Sequence, residues 1–237
     1  MKRAFFIISA LVVVLISWTS CSDMNAKHDI YLSQGEQIYI GKVDSVHVFP
    51  GKERVKVRFW ASDPRCKSVG FFWSPYNDSI FVDVVKTSSV DSFDVVIGGP
   101  TGLKNIAEGN YTMKVHTYDN KGHRSVPFEK IIRVYGSRYQ STLTSRVLTS
   151  RLFTASTRSL SLFLGSPINS EDIGVKVSYT TTANTQVDSV ILNAGYVNPL
   201  RLANVDPSKE VSYRTMYIPS PLAIDTFLSA PRIVSLN

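Results

Sequence analysis

The chain has 237 residues, a formal net charge of +7 at neutral pH and only two cysteines. This length allows one large domain or two small ones, and the scattered glycines and prolines exclude a low-complexity chain. A charge excess of this size does not indicate a nucleic-acid partner. A solvated basic face without a partner is the preferred interpretation, and anionic glycans or the lipopolysaccharide surface are the alternative partners.

The first 21 residues have the pattern of a cleaved secretory signal peptide. Residues 1–3 carry two basic side chains, residues 4–16 form a near-apolar run, and small residues lead into Cys21. The run is too short to span a bilayer as a mature helix. We therefore predict that residues 1–20 are removed and that lipid is attached to Cys21, as in bacterial lipoproteins. An ordinary secreted protein with a chance cysteine is the alternative.

Lipid on Cys21 has consequences for location and for cysteine chemistry. Two or more acyl chains make membrane attachment long-lived, so residues 21–36 are predicted to be a lipidated tether. Asp23 alone supplies the acidic character of a surface-export signal. We predict a lipid anchor in the outer membrane that faces outward, with a periplasm-facing anchor as the alternative. An acylated Cys21 leaves Cys66 alone, so no intrachain disulfide is expected.

The chain after Cys21 alternates apolar and polar residues with the period of a β-strand. In residues 55–59, valine and phenylalanine alternate with lysine and arginine, and turn-forming residues separate such runs. No stretch carries a helical stripe. The other predicted strand segments of the first half are 37–48, 69–73, 79–85, 93–97, 111–118 and 128–135. Strands at this spacing predict an all-β fold of the β-sandwich type.

Residues 106–127 resemble the F strand and F–G hairpin of fibronectin type III modules. A turn with glycine precedes Tyr111, whose hydroxyl is expected to bond back to the upstream backbone as a tyrosine corner. The side chains predicted to face inward are those of Tyr111, Met113, Val115 and Thr117. Residues 120–122 are predicted to form the hairpin turn, with Gly122 supplying a positive φ. Phe59 lies where these modules usually have a core tryptophan.

The second half is predicted to be a diverged copy of the first. Its alternating apolar positions are Leu160, Leu162 and Leu164, then Ile173, Val175, Val177 and Tyr179, and finally Val211, Tyr213, Thr215 and Tyr217. Val211 is placed at the position of the corner tyrosine. We predict two tandem fibronectin type III or immunoglobulin-like β-sandwich units, at residues 37–136 and 159–237. Residues 137–158 are predicted to be the linker and opening strand.

Five segments together are similar to a family of Bacteroidetes surface lipoproteins, the domain-of-unknown-function family 4998. They are residues 35–45, 108–111, 135–141, 213–217 and 223–227, and their order and spacing cover nearly all of the mature chain. The resemblance implies a cell-surface lipoprotein that is built on fibronectin-like folds and often encoded near glycan-uptake systems. The family has no established activity, so it implies no catalytic residues.

The sequence offers no candidate catalytic or metal site. The four histidines lack the spacing of zinc ligands, and the turn after Asp119 lacks the carboxylates of a calcium loop. There is no phosphate-binding glycine loop, nucleophile elbow or facing carboxylate pair. We predict no enzyme, no cofactor and no metal. Cys66 lies between Arg65 and Lys67, which favour a reactive thiolate; an ordinary semi-buried thiol is the preferred interpretation.

Aromatic side chains are the candidate ligand-binding residues. Phe72, His116 and Tyr118 are predicted to face outward from their strands, and Trp60 and Tyr76 to form a loop platform. Such surfaces can stack on sugars or dock a partner. The alternatives are that this face packs against the second unit, or that Trp60 caps the core.

Three serines are candidates for O-glycosylation. Ser45, Ser79 and Ser189 each lie in an acid–hydroxyl–apolar triplet, which is the pattern for O-glycosylation of exported Bacteroidetes proteins. A turn that enters a strand is the alternative explanation.

Together these patterns predict a non-catalytic, lipid-anchored module of the cell envelope. Its partners would be the membrane, through the lipid, and a glycan or an outer-membrane protein, with no nucleic acid. A structural spacer or adhesion-type module without a small ligand is the alternative.

Overall fold

The computed structural model describes residues 38–75 and 77–236. Most of the regular structure in this part of the chain is β-strand. The first half contains β1 (Ser45–Pro50), β2 (Arg54–Ala61), β3 (Ser68–Ser74), β4 (Asp78–Asp83), β5 (Asp91–Gly98), β6 (Gly109–Tyr118) and β7 (Phe128–Val134). A short helix, α1 (Ser137–Ser141), follows. The second half contains β8 (Leu148–Thr154), β9 (Ser159–Leu164), β10 (Asp172–Thr180), β11 (Gln186–Leu192), a 3-10 turn (Asn193–Gly195), β12 (Leu200–Leu202), β13 (Val211–Tyr217), β14 (Phe227–Leu228) and β15 (Arg232–Val234).

β1 to β7 form a sandwich of two antiparallel sheets. One sheet has the order β1-β2-β5 and the other β4-β3-β6-β7. Alternation buries one face of each sheet, so Phe59 of β2 and Phe71 of β3 meet between them with ring centroids 5.5 Å apart. Phe93 stacks on Phe59 at 5.4 Å. This is the A-B-E against C′-C-F-G arrangement of fibronectin type III modules.

The predicted features of β6 are confirmed. The Tyr111 hydroxyl donates to the carbonyl oxygen of Ala107 at 2.8 Å, which is the expected tyrosine corner. Gly122 has a φ of +85° in the hairpin turn. The four side chains predicted to face inward are buried: Tyr111, Met113, Val115 and Thr117.

The second half repeats this strand order. β12-β9-β8 forms one sheet, and β11-β10-β13 forms the other, with β14 and β15 both pairing to β13. The interior is lined by alternating residues from both sheets, among them Leu160, Leu162, Val175, Val177, Val211 and Tyr213. The predicted all-β fold of two fibronectin type III-like sandwiches is confirmed.

One predicted inward position of β10 is displaced by a β-bulge. The register with β13 shifts between Asp172 and Gly174, so the extra residue Ile173 is half-buried while Asp172 turns into the interior. A Cβ on Gly174 would lie 2.4 Å from the carbonyl oxygen of Ile191. The close approach of these two strands therefore requires glycine beside the bulge.

Both sandwiches contain the same buried threonine–serine pair. In the first, Ser125 Oγ accepts the N–H of Thr117 at 3.0 Å, and the Ser125 N–H donates to the Thr117 carbonyl at 3.0 Å. In the second, Ser229 makes the same two bonds to Thr215, at 2.9 and 3.0 Å. Both serines are 1% exposed. The shared pair fixes which residues of the two halves correspond.

This correspondence corrects the predicted alignment of the halves by two residues. With Thr215 at the position of Thr117, Val211 corresponds to Met113, and Lys209 corresponds to Tyr111. An even shift keeps the apolar face of an alternating strand inward, so the sequence pattern could not distinguish the two registers. The second sandwich still lacks the corner tyrosine, because a lysine occupies that position.

Polar contacts join the two sandwiches. Asp225, just before β14, accepts hydrogen bonds from Arg54 Nε and from the backbone N–H of Lys52, both at 2.8 Å. The N–H of Ile224 donates to the carbonyl oxygen of Pro50 at 2.8 Å. The segment before β14 approaches the turn between β1 and β2 so closely that residue 51 must be glycine, since a Cβ on Gly51 would lie 2.5 Å from Asp225 Oδ2.

An aromatic cluster completes this joint. Tyr135 follows β7, Tyr139 lies in α1, and Phe227 begins β14. The ring centroids of Tyr139 lie 4.8 Å from Tyr135 and 5.0 Å from Phe227. Glu108 accepts the backbone N–H groups of Arg138 and Tyr139 at 2.7 Å each. The joint thus combines an ion pair, backbone bonds and packed rings.

Several predictions concern residues that the structure does not describe or boundaries that it does not test. The predicted signal peptide, Cys21, the predicted tether and Tyr76 lie outside the described residues. β8 begins at Leu148, within the segment predicted as linker and opening strand; the domain boundaries stay a prediction. Among the described residues, no helix is long and apolar enough to cross a membrane.

Candidate ligand-binding face

The outward face of the β4-β3-β6-β7 sheet is the candidate site. Strand pairing places Phe81, Gly70 and His116 side by side in one row across β4, β3 and β6. Residues directly opposite in antiparallel strands project from the same face. Phe72 and Tyr118 lie diagonally to either side of this row, so four rings surround one glycine.

These four side chains, Phe72, Phe81, His116 and Tyr118, form a closed aromatic quartet. Phe72 meets Phe81 at a centroid distance of 5.5 Å and His116 at 5.7 Å, both near perpendicular. Tyr118 meets Phe81 at 5.5 Å and His116 at 6.4 Å. Perpendicular and tilted contacts are the favourable geometries for such rings.

Gly70 permits this arrangement. A Cβ at Gly70 would lie 2.9 Å from a ring carbon of each of Phe72, Phe81 and Tyr118. The rings therefore lean over the glycine, which is itself buried. Any side chain at this position would push the rings apart, so the quartet depends on the glycine as much as on the rings.

The quartet is part of the accessible surface. Phe81 is 57% exposed, and the other three members are half-buried. The Nδ1–H of His116 donates to the carbonyl oxygen of Ser125 at 2.9 Å, because a carbonyl can only accept. This bond fixes the ring orientation of His116. The prediction that these residues face outward from their strands is met for Phe72, His116 and Tyr118.

Phe81 belongs to the quartet but was not among the residues predicted to bind a ligand. Its neighbours Ile80 and Val82 are apolar too, so the run of three apolar residues hides the alternation. The signal was present in the predicted strand 79–85, since a buried Ile80 places Phe81 on the opposite face.

A depression of about 270 Å³ adjoins the quartet at Phe72. Its polar lining comes from Ser74, Asn77, Thr112 and Lys114. Lys114 pairs with Glu129 of β7 at 3.2 Å. The face thus places hydroxyl, amide and amine groups next to exposed aromatic carbon, the combination typical of ligand-binding surfaces.

Trp60 is not part of this face. It lies on β2, in the other sheet of the sandwich, and its ring contacts that of His47 at 5.0 Å. It is half-buried on the outward side and does not cap the core. Its predicted platform partner, Tyr76, lies outside the described residues.

The three candidate O-glycosylation serines lie in strands. Ser45 begins β1, Ser79 is the second residue of β4, and Ser189 lies within β11. All three are half-buried. Their modification stays a prediction.

Cys66 is buried, with 1% of its surface exposed. Burial raises the pKa of its thiol and outweighs the opposing effect of Lys86 and Lys67. The thiol is therefore held in its neutral form, the less reactive one. In the described part of the chain, no group of three His, Cys, Asp or Glu side chains could hold a metal ion.

A buried ion pair in the second sandwich was not predicted. Arg146 Nε donates to Asp172 Oδ2 at 2.8 Å, and both side chains are fully buried. The Arg146 guanidinium also lies over the ring of Tyr196, at 5.4 Å. No sequence pattern marks this pair, because Arg146 precedes β8 in a stretch rich in exposed serine, threonine and arginine.

Comparisons with known proteins find one matching family profile and similar solved structures. A family profile described as a domain of unknown function, family 4998, matches residues 21–227. Two chicken structures are similar: a two-domain fibronectin type III segment of tenascin, and the FN1–FN3 domains of CNTN1. The tenascin segment is 14% identical, with a TM-score of 0.32, over 82% of this chain and 98% of its own. The CNTN1 domains are 12% identical, with a TM-score of 0.41, over 83% of this chain and 64% of their own.

No curated protein matches the chain. The fold assignment rests on the strand order of the two sandwiches, and the family assignment rests on the profile match to most of the chain. Membership of the family suggested by the five sequence segments is thereby confirmed. This chain belongs to the domain-of-unknown-function family 4998.

Proposed function

We propose that the chain is a non-catalytic module, lipid-anchored in the outer membrane, that binds a glycan or a protein partner. The observation that carries the binding role is the aromatic quartet. Its four rings are contiguous on one face, Phe81 is 57% exposed, and apolar groups clustered on a surface are a mark of interaction sites. Its rings are fixed by mutual contacts and by the His116–Ser125 hydrogen bond, so the surface is preorganised and loses little entropy on binding.

The anchoring role is supported by the sequence of residues 1–21. Substituting Cys21→Ser removes the thiol that would carry the lipid, and we expect the protein to move from the membrane fraction to the soluble fraction. Mass spectrometry of the wild-type amino terminus should show acyl chains on Cys21. Cys66→Ser is the matched control and should stay in membranes. Retention of Cys21→Ser in membranes would contradict the anchor.

The binding role is tested by partner capture on whole cells. We expect the full-length protein to retain a glycan or protein from the cell envelope, and Phe81→Ala to lose most of this capture. Phe81 is more than half exposed, so its substitution leaves the core intact. Leu152→Ala, which alters an equally exposed residue of β8, should bind like wild type. Identical capture by both variants would exclude the quartet as the binding surface.

A specific observation favours a second function, that of a structural spacer. The joint combines the Asp225 contacts with the packed rings of Tyr135, Tyr139 and Phe227. Such contacts restrict the relative motion of two modules, and a spacer requires that restriction. Absence of any captured partner, together with intact membrane attachment, would favour this function.

A further inference from the structure

We propose that the quartet and its adjoining depression bind a neutral polysaccharide chain. This inference rests on the proposed binding function and names its ligand class. The site is the outward face of β4, β3 and β6, from the quartet at one end to the depression lined by Ser74, Asn77 and Thr112 at the other.

The aromatic end suits the apolar faces of sugar rings. The face of an aromatic ring is electron-rich and attracts the partly positive C–H groups of a pyranose. Phe81 supplies the most exposed ring, and Tyr118 contacts it at 5.5 Å. A sugar ring stacked there keeps its hydroxyl groups at the rim, where they remain solvated or reach polar side chains.

The polar end suits sugar hydroxyls. The depression offers the hydroxyls of Ser74 and Thr112 and the amide of Asn77. Hydroxyls both donate and accept, and an amide has separate donor and acceptor atoms. These groups match a polyhydroxylated ligand, whose own hydroxyls also donate and accept.

The dimensions favour a chain over a single sugar. Neighbouring strands lie about 4.8 Å apart and residues rise about 3.4 Å along a strand. The quartet spans three strands, and the row of Gly70 lies four residues from Ser74 along β3. The site therefore covers roughly 10 by 13 Å, which accommodates more than one pyranose ring.

The charges of this face favour a neutral ligand. Its outward charged residues are two acids, Asp83 and Glu129, and two bases, Lys114 and Arg133. Lys114 is paired with Glu129, and Lys104 beside the face is paired with Asp78. The face is thus balanced although the whole chain carries +7. An anionic polysaccharide would find no unpaired cation at the depression.

The test uses the full-length protein and defined oligosaccharides. Neutral hexasaccharides of glucose, xylose and mannose, and an acidic oligogalacturonate, are titrated by calorimetry and by NMR. We expect binding of at least one neutral hexasaccharide, with shifts confined to β3, β4 and β6. Phe81→Ala should weaken it about tenfold or more, and Thr112→Val, which replaces a hydroxyl by a methyl group, by a few-fold. Leu152→Ala is the control and should bind like wild type.

Gly70→Ala tests whether binding depends on the positions of the four rings and not only on their presence. It keeps all four aromatic side chains but places a methyl group 2.9 Å from three of them. We expect a loss similar to that of Phe81→Ala, with an unchanged circular dichroism spectrum. Wild-type affinity in Gly70→Ala would overturn the role of the quartet geometry.

The other outcomes distinguish this inference from the proposed function. Binding of oligogalacturonate alone would overturn the neutral class. No binding of any oligosaccharide, with Phe81-dependent capture of a protein partner, would overturn the polysaccharide ligand and leave the proposed binding function standing. No binding and no capture would overturn both.

Discussion

The two sandwiches share a strand order but close their interiors by different means. The first is closed by packed rings, since Phe59 meets Phe71 edge to face and stacks on Phe93. The second holds the buried ion pair of Arg146 and Asp172. Ring contacts tolerate small shifts, whereas two charges removed from water require fixed geometry. The same arrangement of strands can therefore enclose a core that is held by packed rings or one that contains a buried ion pair.

The ion pair organises the polar groups around it. Asp172 Oδ2 accepts the N–H of Ile168 at 3.0 Å, and the backbone carbonyl of Arg146 accepts the hydroxyl of Tyr213 at 2.7 Å. The Arg146 N–H donates to Thr215 Oγ1 at 2.8 Å. The bulge beside Gly174 turns Asp172 inward, so this backbone irregularity places the carboxylate of the ion pair.

Removing one charge of this pair should give the largest effect. Asp172→Ala leaves the Arg146 guanidinium buried without its counter-ion, which costs about 3–5 kcal/mol of the free energy of unfolding. The loss should be confined to the second sandwich. Hydrogen exchange of the β10 and β13 amides measures it, while the fluorescence of Trp60 and Trp73 monitors the first sandwich.

Two further variants sharpen this result. Arg146→Met combined with Asp172→Leu removes both charges and should recover most of the stability. Asp188→Ala breaks the exposed ion pair with Lys176 and should change the hydrogen exchange of the β10 and β13 amides only slightly. Equal destabilisation of both sandwiches by Asp172→Ala would contradict a local role for the ion pair.

The shared threonine–serine pair predicts a local loss of stability in each sandwich, and the loss should be larger in the second, where Ser229 Oγ also bonds to Ser145 Oγ at 2.8 Å. Ser125→Ala and Ser229→Ala each leave a buried threonine N–H without its acceptor, at a cost of about 1–3 kcal/mol. Denaturation followed by hydrogen exchange should localise each loss to its own sandwich. The exposed Ser141→Ala is the control. A smaller loss of stability for Ser229→Ala than for Ser125→Ala would contradict this order.

The joint should give the smallest effect and depend on pH. Burial alone raises the pKa of Asp225, but hydrogen bonds from Arg54 and from the Lys52 backbone outweigh it, so the pKa is lowered. The contact is therefore complete above the ordinary aspartate pKa of about 3.9 and is lost as the pH falls through the lowered value. Asp225→Asn should reduce the hydrogen-exchange protection of the Lys52 and Ile224 amides about 2- to 10-fold near neutral pH.

The pH profile provides the control for the joint. The protection of wild-type Lys52 should fall on acidification and approach that of Asp225→Asn, whose own protection should not change over the same range. Protection of β2 amides should be unaffected in both proteins. If the protection of the Lys52 amide fell equally with pH in wild type and in Asp225→Asn, the role of the carboxylate would be contradicted.

Sequence reasoning succeeded where local pattern decides the structure. Alternation predicted most of the strands, and the turn before Tyr111 predicted the tyrosine corner. The predicted strand 37–48 was wrong over residues 38–44, since β1 begins at Ser45. It failed where distant segments meet. The Arg146–Asp172 pair joins residues 26 positions apart, and the bulge that buries Asp172 leaves no mark in the alternation. The two-residue error at Val211 has the same origin, since only side-chain pairing across strands distinguishes even shifts.

The candidate face was predicted in part. The alternating pattern of the strands placed Phe72, His116 and Tyr118 on the outward face. It did not place Phe81 there, because its neighbours are apolar too. Trp60 was grouped with a loop platform, whereas it lies in the opposite sheet. Which outward residues meet depends on strand order and register, and neither follows from a single strand.

The glycine beneath the quartet has a consequence for comparing relatives. An absent side chain is the condition that lets Phe72, Phe81 and Tyr118 converge, so counting aromatic residues alone would misjudge which homologues carry a working surface. A member of the family with all four rings but a larger residue at the position of Gly70 should lack the capacity to recognise the same ligand. Under the proposed binding role, this one position of β3 would sort the family into members that bind the ligand and members that do not.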